Sequence, residues 1–316
     1  MNKLERVRAA LAGKAVDRTP FSLWYHFGNQ HASAEMTARI HLDFFNAYDL
    51  DFLKVMNDYD YPMPEGMDYV STPEDLVRLA PLDMRRTPMG AQLEVIERIA
   101  AELKGKALFV DTVFNAWYTL RRNIVREAMR PLMTEHPEAV EQALKVINEN
   151  LIQFALSTLE SGADGIFYAV PATAESVAPE QFERFIRPFD LAFLKAIKGK
   201  GEFHILHAHG ERLYFDRILD YPVQALSWAD LNGGPSIANA RRLTPWTLIA
   251  GLDHVRFPHV STKVIREQAK AAMEQAGNSR FILAPGCTVQ SFAFPPLIRA
   301  ARDAAWGVGS RVGREP

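Results

Sequence analysis

Eight short runs of apolar, β-branched or aromatic residues recur along the chain, separated by longer segments. The runs begin at Thr19, Asp51, Lys106, Gly162, Glu202, Val223, Thr247 and Arg280, and they read TPFSLWY, DFLKVM, KALFVDTVF, GADGIFYAV, EFHILHAH, VQALSWAD, TLIAGLD and RFILAPG. Buried strands that alternate with helices are typical of a parallel sheet built from βα units. Because eight such units can close into a ring, the pattern predicts an α/β protein of the (β/α)8, or TIM, barrel class.

The segments between the runs show helical periodicity. It is clearest in PEAVEQALKVINENLIQFALSTLES and in TKVIREQAKAAMEQAG, where apolar residues recur three and four positions apart and a glycine marks the end. Residues 59–89 are rich in proline and methionine, and we expect them to pass over the barrel mouth. No repeat or linker interrupts the series, so we expect one domain over residues 1–316, with a frayed end after Gly307.

Charge and hydropathy exclude several classes of protein. The 36 basic and 38 acidic residues are interspersed, without the basic stripe that nucleic acid or an anionic membrane surface would need. The first residues lack the apolar core of a signal peptide, and no apolar run approaches the roughly 20 residues that span a bilayer. We therefore expect a cytoplasmic protein that acts on a small-molecule substrate.

Polar and aromatic residues stand at the end of nearly every predicted strand. In (β/α)8 barrels the chemistry takes place on the loops that follow the strands. Helix capping explains any single aspartate among them, but the whole series indicates an active site. We expect the largest cleft to be lined by Trp24, His26, Asp58, Tyr168, His207, Trp228 and Cys287, with Asp111, Asp230 and Asp253 as further candidates for substrate binding.

Three of these residues suit a metal ion. His207 and His209 are two positions apart on an extended segment and so face the same way, and Gly286 lets the chain turn and present Cys287. Two imidazoles and one thiolate with an open fourth position are suitable ligands for a catalytic zinc ion. The alternatives are that the histidines cap a strand end and that the single cysteine is an inert buried thiol.

The motifs DRTPFSLWY, GADGIFYAV, HILHAHGE, ALSWAD, LIAGLDHVRFPH and RFILAPGC have a familiar order and spacing. Over almost the whole chain they resemble the uroporphyrinogen decarboxylase superfamily, which includes the methylcobamide:coenzyme M methyltransferases and implies a (β/α)8 barrel. The methyltransferase branch carries a zinc motif His-x-Cys and a distant cysteine. His207 matches the histidine of that motif, His209 stands in the place of its first cysteine, and Cys287 matches the last.

The decarboxylase branch implies other residues. Its paired N-terminal arginines, which hold the carboxylates of the substrate, have no counterpart after the first predicted strand. Its catalytic aspartate corresponds to Asp58 and its active-site tyrosine to Tyr168, while its C-terminal histidine falls at Cys287. Because unpaired carboxylates are costly to bury, the missing arginines favour the methyltransferase branch.

The resemblance thus implies a zinc-dependent methyltransferase that acts with a corrinoid protein or a methylated small molecule and a thiol or folate-type acceptor. Asp58 and Tyr168 would be its catalytic residues, and the substrate would contact Trp24, His26, Asp111, Trp228, Asp230 and Asp253. The alternative enzyme is a cofactor-free uroporphyrinogen decarboxylase. A non-catalytic corrinoid- or tetrapyrrole-binding protein is disfavoured, because drifted sites fill with apolar residues. The oligomeric state stays open, a homodimer included.

Overall fold

The computed structural model describes residues 1–277 and 279–307, so the frayed end expected after Gly307 lies outside the described residues. They form an α/β fold around one curled sheet of seven parallel strands, which neighbour one another in sequence order. Each strand falls within one of the predicted runs, as βα units require. The strands are β1 (Phe52–Val55), β2 (Leu108–Phe114), β3 (Gly165–Val170), β4 (Ile205–Ala208), β5 (Ala225–Trp228), β6 (Thr247–Leu252) and β7 (Phe281–Pro285).

Helices connect the strands and cover the outer face of the sheet. The longest begins with a proline in its first turn and buries Val140, Leu144, Ile147 and Leu151 at helical spacing. None of the described helices combines the length and the apolar composition that crossing a bilayer requires. The helices are α1 (Lys3–Leu11), α2 (Ala34–Tyr48), α3 (Pro73–Leu76), α4 (Gly90–Leu103), α5 (Ala116–Thr119), α6 (Met129–Glu135), α7 (Pro137–Glu160), α8 (Pro179–Phe185), α9 (Arg187–Ile197), α10 (Ile237–Leu243), α11 (Thr262–Ala276) and α12 (Pro295–Ala305).

The prediction of a strand at residues 19–25 is wrong. Within this segment Phe21 makes an isolated bridge to Leu283 of β7, and its carbonyl accepts the N–H of Asp51 just before β1. Pro20 has no N–H, and the N–H of Phe21 donates to the Asp51 carboxylate at 2.8 Å, so neither residue can donate to a strand ladder. The segment therefore lies between β7 and β1 without becoming a strand, and the sheet is not a closed eight-stranded barrel.

The carboxylate of Asp51 joins this segment to the N-terminal helix. It is fully buried and accepts hydrogen bonds from Nη1 of Arg6 at 2.7 Å and from Nη1 and Nη2 of Arg18 at 2.6 and 3.0 Å. On the same helix Val7 and Ala10 pack against the apolar residues inside the sheet. Helix α1 thus covers the N-terminal ends of the strands.

Alternate residues of each strand face the interior of the curled sheet. Towards the N-terminal ends of the strands these residues are apolar, and they form one buried cluster that includes Phe52, Leu108, Val110, Ile205, Ala225, Ile249 and Ile282. Further along, the inward residues become polar, with Lys54 on β1, Thr112 on β2 and His207 on β4. The polar end of the interior is the end where (β/α) barrels carry their chemistry.

Residues 59–89 are predicted to pass over the mouth of the sheet, and their first part lies at that end, where the Asp60 carboxylate accepts a hydrogen bond from Asn123 in the segment after β2 at 2.7 Å. They are largely irregular, with α3 and a 3-10 turn as their helical parts. Asn150 of α7 donates to the hydroxyl of Tyr61 at 2.6 Å and accepts the N–H of Leu82 at 2.9 Å. The segment is therefore anchored along α7.

Replacing Asp51 by asparagine removes a buried charge that pairs with Arg6 and Arg18, while Arg6 keeps its ion pair with Asp17. Because Arg6 is itself buried, we expect the free energy of unfolding to fall by about 3 kcal/mol. Urea denaturation followed by circular dichroism measures the change. The matched control is Asp43→Asn at an exposed ion pair with Arg39, which should cost less than about 1 kcal/mol. Equal losses in the two variants would contradict the role given to Asp51.

Candidate metal centre

His207 and His209 stand at the C-terminal end of β4. His207 pairs in register with Ala169 of β3 and Ser227 of β5, and its buried ring stacks on Phe167 with the ring centroids 5.0 Å apart. His209 lies just beyond the strand, exposed, with its ring centroid 5.9 Å from that of His207. Both imidazoles face the same side of β4, as residues two apart on an extended chain do.

Cys287 follows β7 at a tight turn. Gly286 donates its N–H to the carbonyl of Leu252 at 3.0 Å, and a Cβ on this glycine would lie 2.5 Å from the Cα of Ala229. A larger residue would collide with that backbone, so glycine is required for the close approach. The turn brings the half-buried free thiol of Cys287 to the ends of the neighbouring strands.

The three side chains come together at one place. One ligand atom from each of His207, His209 and Cys287 lies within 4.8 Å of the other two, and the Cys287 sulfur is 3.7 Å from Nδ1 of His209. Tetrahedral zinc ligands are separated by roughly 3.3–3.8 Å at ordinary bond lengths. The nitrogen and sulfur donors therefore fit zinc with a small adjustment of the side chains.

Ser227 orients the buried imidazole. Its hydroxyl oxygen lies 3.1 Å from Nδ1 of His207. This contact occupies Nδ1 and leaves Nε2 free to bind a metal. Histidines that bind metals commonly have such a hydrogen-bond partner on their other ring nitrogen.

The electrostatics of the cluster favour a thiolate. Burial alone would raise the pKa of the Cys287 thiol, but the charges and hydrogen bonds of His207 and His209 hold it well below its usual range. The hydrogen bond to Cys287 raises the pKa of His209, whereas burial lowers the pKa of His207. The thiolate is the form in which cysteine binds metals and acts as a nucleophile.

A cavity of about 70 Å³ opens beside the three side chains. It is lined by five of the predicted residues, Trp24, His26, His207, His209 and Cys287. A neighbouring groove has a volume of about 1050 Å³, so the prediction that the site is the largest cleft is wrong.

Lys54 is a functional candidate that the sequence reading missed. Its side chain points into the cavity and is buried, with Nζ 3.4 Å from the sulfur of Met56 and 4.6 Å from the centroid of the Phe167 ring. No carboxylate within the described ranges forms an ion pair with it, and burial lowers the pKa of Lys54 to about 8. The sequence does contain one indication of this role, because a lysine stands in the apolar run DFLKVM. Lysine is almost never fully buried without a partner, so a lysine in a buried strand points to a functional site.

Tyr168 and Trp228 face away from the cavity, which corrects the catalytic role predicted for the first and the substrate contact predicted for the second. They alternate with the inward residues Phe167 and Ser227, so the pleat turns them towards the helices. The Tyr168 hydroxyl donates to the buried carboxylate of Asp190 on α9 at 2.9 Å. The indole N–H of Trp228 donates to a backbone carbonyl of the following loop at 2.9 Å.

Asp111, Asp230 and Asp253 are also absent from the lining of the cavity, which corrects their predicted substrate contacts. Asp111 faces the helices from β2 and accepts a hydrogen bond from Gln92 of α4 at 2.8 Å. Asp230 accepts a backbone N–H of β6 at 3.0 Å, and Asp253 pairs with Arg256 in the loop after β6 at 2.8 Å. These carboxylates hold the sheet, its helices and its loops together.

Asp58 reaches the cavity only through His26. It does not line the cavity as predicted, but its Oδ1 lies 2.6 Å from Nδ1 of His26, which does. Asp58 is therefore placed to orient the imidazole and to fix which ring nitrogen carries the proton.

The sequence matches the model of a family described as Uroporphyrinogen decarboxylase (URO-D) over residues 53–305. No curated protein matches the chain. Among solved structures, a methyltransferase from Methanosarcina mazei has a TM-score of 0.80 at 19% identity, with 96% of this chain and 98% of that one covered.

More distant structures share the same architecture. A B12-independent methionine synthase from Shewanella sp. W3-18-1 has a TM-score of 0.62 at 10% identity, with 92% of both chains covered. An endo-1,4-beta-mannanase from Rhizomucor miehei has a TM-score of 0.57 at 8% identity, with 92% of this chain and 95% of that one covered. At these identities the comparison shows a common fold.

Replacing Asp111 by asparagine removes a carboxyl group whose pKa burial raises from 3.8 to about 7. The folded state binds this proton more tightly than the unfolded state, so Asp111 stabilises the fold most below about pH 4, and this contribution is lost as the pH rises through about 7. Urea titrations measure the free energy of unfolding of the wild type and of Asp111→Asn at each pH. We expect the difference, wild type minus variant, to decrease as the pH rises from about 4 to about 7. A difference that stays flat or rises would contradict the analysis.

Proposed function

The chain belongs to the uroporphyrinogen decarboxylase family, and from the site that it carries we propose that it is a zinc-dependent methyltransferase. The observation that carries the proposal is the convergence of two imidazoles and one thiol beside a cavity at the C-terminal ends of the strands. The similar fold of a structure named as a methyltransferase is consistent with it.

His207, His209 and Cys287 would hold the zinc ion. When bound, zinc would supply a Lewis acid that lowers the pKa of an acceptor group on its open side. Two neutral imidazoles and one thiolate give the centre a formal charge of about +1, whereas one histidine and two cysteines would make it neutral. The higher charge makes zinc a stronger Lewis acid but makes a bound thiolate a weaker nucleophile. The proposal therefore includes a folate-type acceptor and a methyl ether substrate as well as a thiol acceptor.

The surrounding side chains would bind and position the reactants. Trp24 and Phe167 give the cavity an apolar wall that excludes water, and Ser227 holds the His207 ring in place. Asp58 fixes the His26 tautomer, which leaves Nε2 of His26 to accept or deliver a proton in the cavity. The methyl group would pass to the acceptor as a cation, and the electron pair of the broken bond would stay on the donor.

The methyl donor in this proposal is a corrinoid protein or a methylated small molecule. A corrinoid protein would dock at the C-terminal ends of the strands, where the cavity opens. A single domain, a cytoplasmic location and a soluble small-molecule substrate complete the proposal, with no role for nucleic acid or membranes.

Decarboxylation of a tetrapyrrole is the weaker hypothesis for this site. Tyr168, which that reaction was expected to use, is buried against Asp190 on the far side of β3. Asp58 is engaged with His26, and Cys287 occupies the position expected for a histidine.

Replacing Cys287 by serine should remove zinc and methyl transfer together, because the hydroxyl is a much poorer zinc ligand than the thiolate. Metal content is measured by elemental analysis of the purified protein. Transfer is measured as loss of the cobalt–carbon absorbance of methylcobalamin with a thiol acceptor. The circular dichroism spectrum should stay unchanged, since the thiol lies at the mouth of the sheet.

His31→Ala is the matched control, because His31 is exposed and outside the cavity lining. It should keep both zinc and activity. Full zinc content and activity in Cys287→Ser would overturn the proposal, and tetrapyrrole decarboxylation by the zinc-free protein would favour the alternative.

A further inference from the structure

A second concave surface adjoins the cavity. This surface, the arginine groove, has a volume of about 1050 Å³ and lies between residues 116–135 on one side and residues 174–181 on the other. Four arginines line it, Arg121, Arg122, Arg126 and Arg130. Their concentration contrasts with the interspersed charges of the chain as a whole.

The arginine groove carries an excess of positive charge. Within the described ranges, Arg121, Arg126 and Arg130 form no ion pair, and Arg121 instead lies over the ring of Trp117 at 5.4 Å. Two carboxylates line the groove as well, Glu127 next to Arg126 and Glu175 on the opposite wall, where it is already paired with Arg212 outside the groove, so the four arginines outnumber them. Uncompensated guanidinium groups in a concave surface attract carboxylates and phosphates, which they bind in bidentate fashion.

The backbone that presents these arginines is irregular. Residues Leu120–Val125 form a π-helix, and the next residue, Arg126, has a φ of 47° and a ψ of -116°. Inserted π turns are frequent at functional sites, and strained non-glycine residues cluster there, because the surrounding structure maintains the strain. The irregular stretch lies against the groove, and one of its residues, Arg122, also reaches the cavity.

The arginine groove continues into the cavity. Tyr118 and Arg122 line both, and the guanidinium of Arg122 donates to the Tyr118 hydroxyl at 3.1 Å between them. The cavity alone, at about 70 Å³, is far smaller than the roughly 300–1,000 Å³ of ordinary ligand sites. A molecule that reacts beside Cys287 and is larger than the cavity has room to extend into the groove.

We propose that the arginine groove binds the anionic part of a small-molecule methyl donor or acceptor whose reacting end lies in the cavity. This inference rests on the proposed function and specifies its substrate class as an extended molecule with at least two carboxylate or phosphate groups. A small molecule suits the site better than the acidic surface of a protein, because the groove is concave and leads into a narrow cavity.

The test uses the full chain and two probes, tripolyphosphate and a triglutamate peptide, which distinguish phosphate from carboxylate recognition. Isothermal titration calorimetry at low salt should show one molecule of at least one probe bound per chain. In the double variant Arg126→Gln and Arg130→Gln the affinity should fall at least tenfold. The double variant with lysine at both positions keeps the charge and should retain most of the affinity.

Arg266→Gln is the matched control, because Arg266 is exposed on α11, away from the groove. Its affinity should stay within twofold of the wild type, and an equal loss there would overturn the proposal. Failure of both probes to bind the wild type would also overturn it. Because Cys287→Ser should still bind the probe, loss of zinc chemistry and loss of anion binding are separate outcomes.

Discussion

The parallel register of the seven strands is the constraint on which the site depends. Because all strands run the same way, their C-terminal ends meet at one edge, and alternate residues share one interior. The register that pairs His207 with Ser227 places a hydroxyl beside the imidazole, and the turn after β7 adds the thiol. A shift of β4 by one residue would turn both histidines towards the helices.

The same alternation explains what the sequence could and could not predict. Residues two apart on a strand face the same way, which predicts that His207 and His209 lie together, and the position after a strand and a glycine predicts the place of Cys287. Position near the end of a strand does not by itself predict a site residue, because Tyr168 and Trp228 stand near the ends of their strands on the face that packs against the helices. Inward residues next to them, Phe167 and Ser227, show that the pleat decides their direction.

Two other differences arise from long-range contacts that local patterns do not contain. Residues 19–25 have the composition of a strand, but the carboxylate of Asp51 takes the N–H that a ladder would use. Lys54 belongs to an apolar run that predicts a buried strand. Only its neighbours in the folded structure show that its side chain points into the cavity. The family resemblance, in contrast, depended on motifs spread over the whole chain, and the family model confirms it.

Positively charged groups surround the cavity and the groove beside it. Burying the Lys54 ammonium against a thioether and an aromatic ring costs free energy, which the charges of Cys287, Asp58 and Asp111 offset only in part. A His2Cys zinc centre would add a further positive charge, and Arg122 stands where the cavity meets the arginine groove. Positive groups that line the same cavity repel one another. An anionic ligand would relieve that repulsion in every part of the site at once, so the same charges that repel one another would contribute to binding.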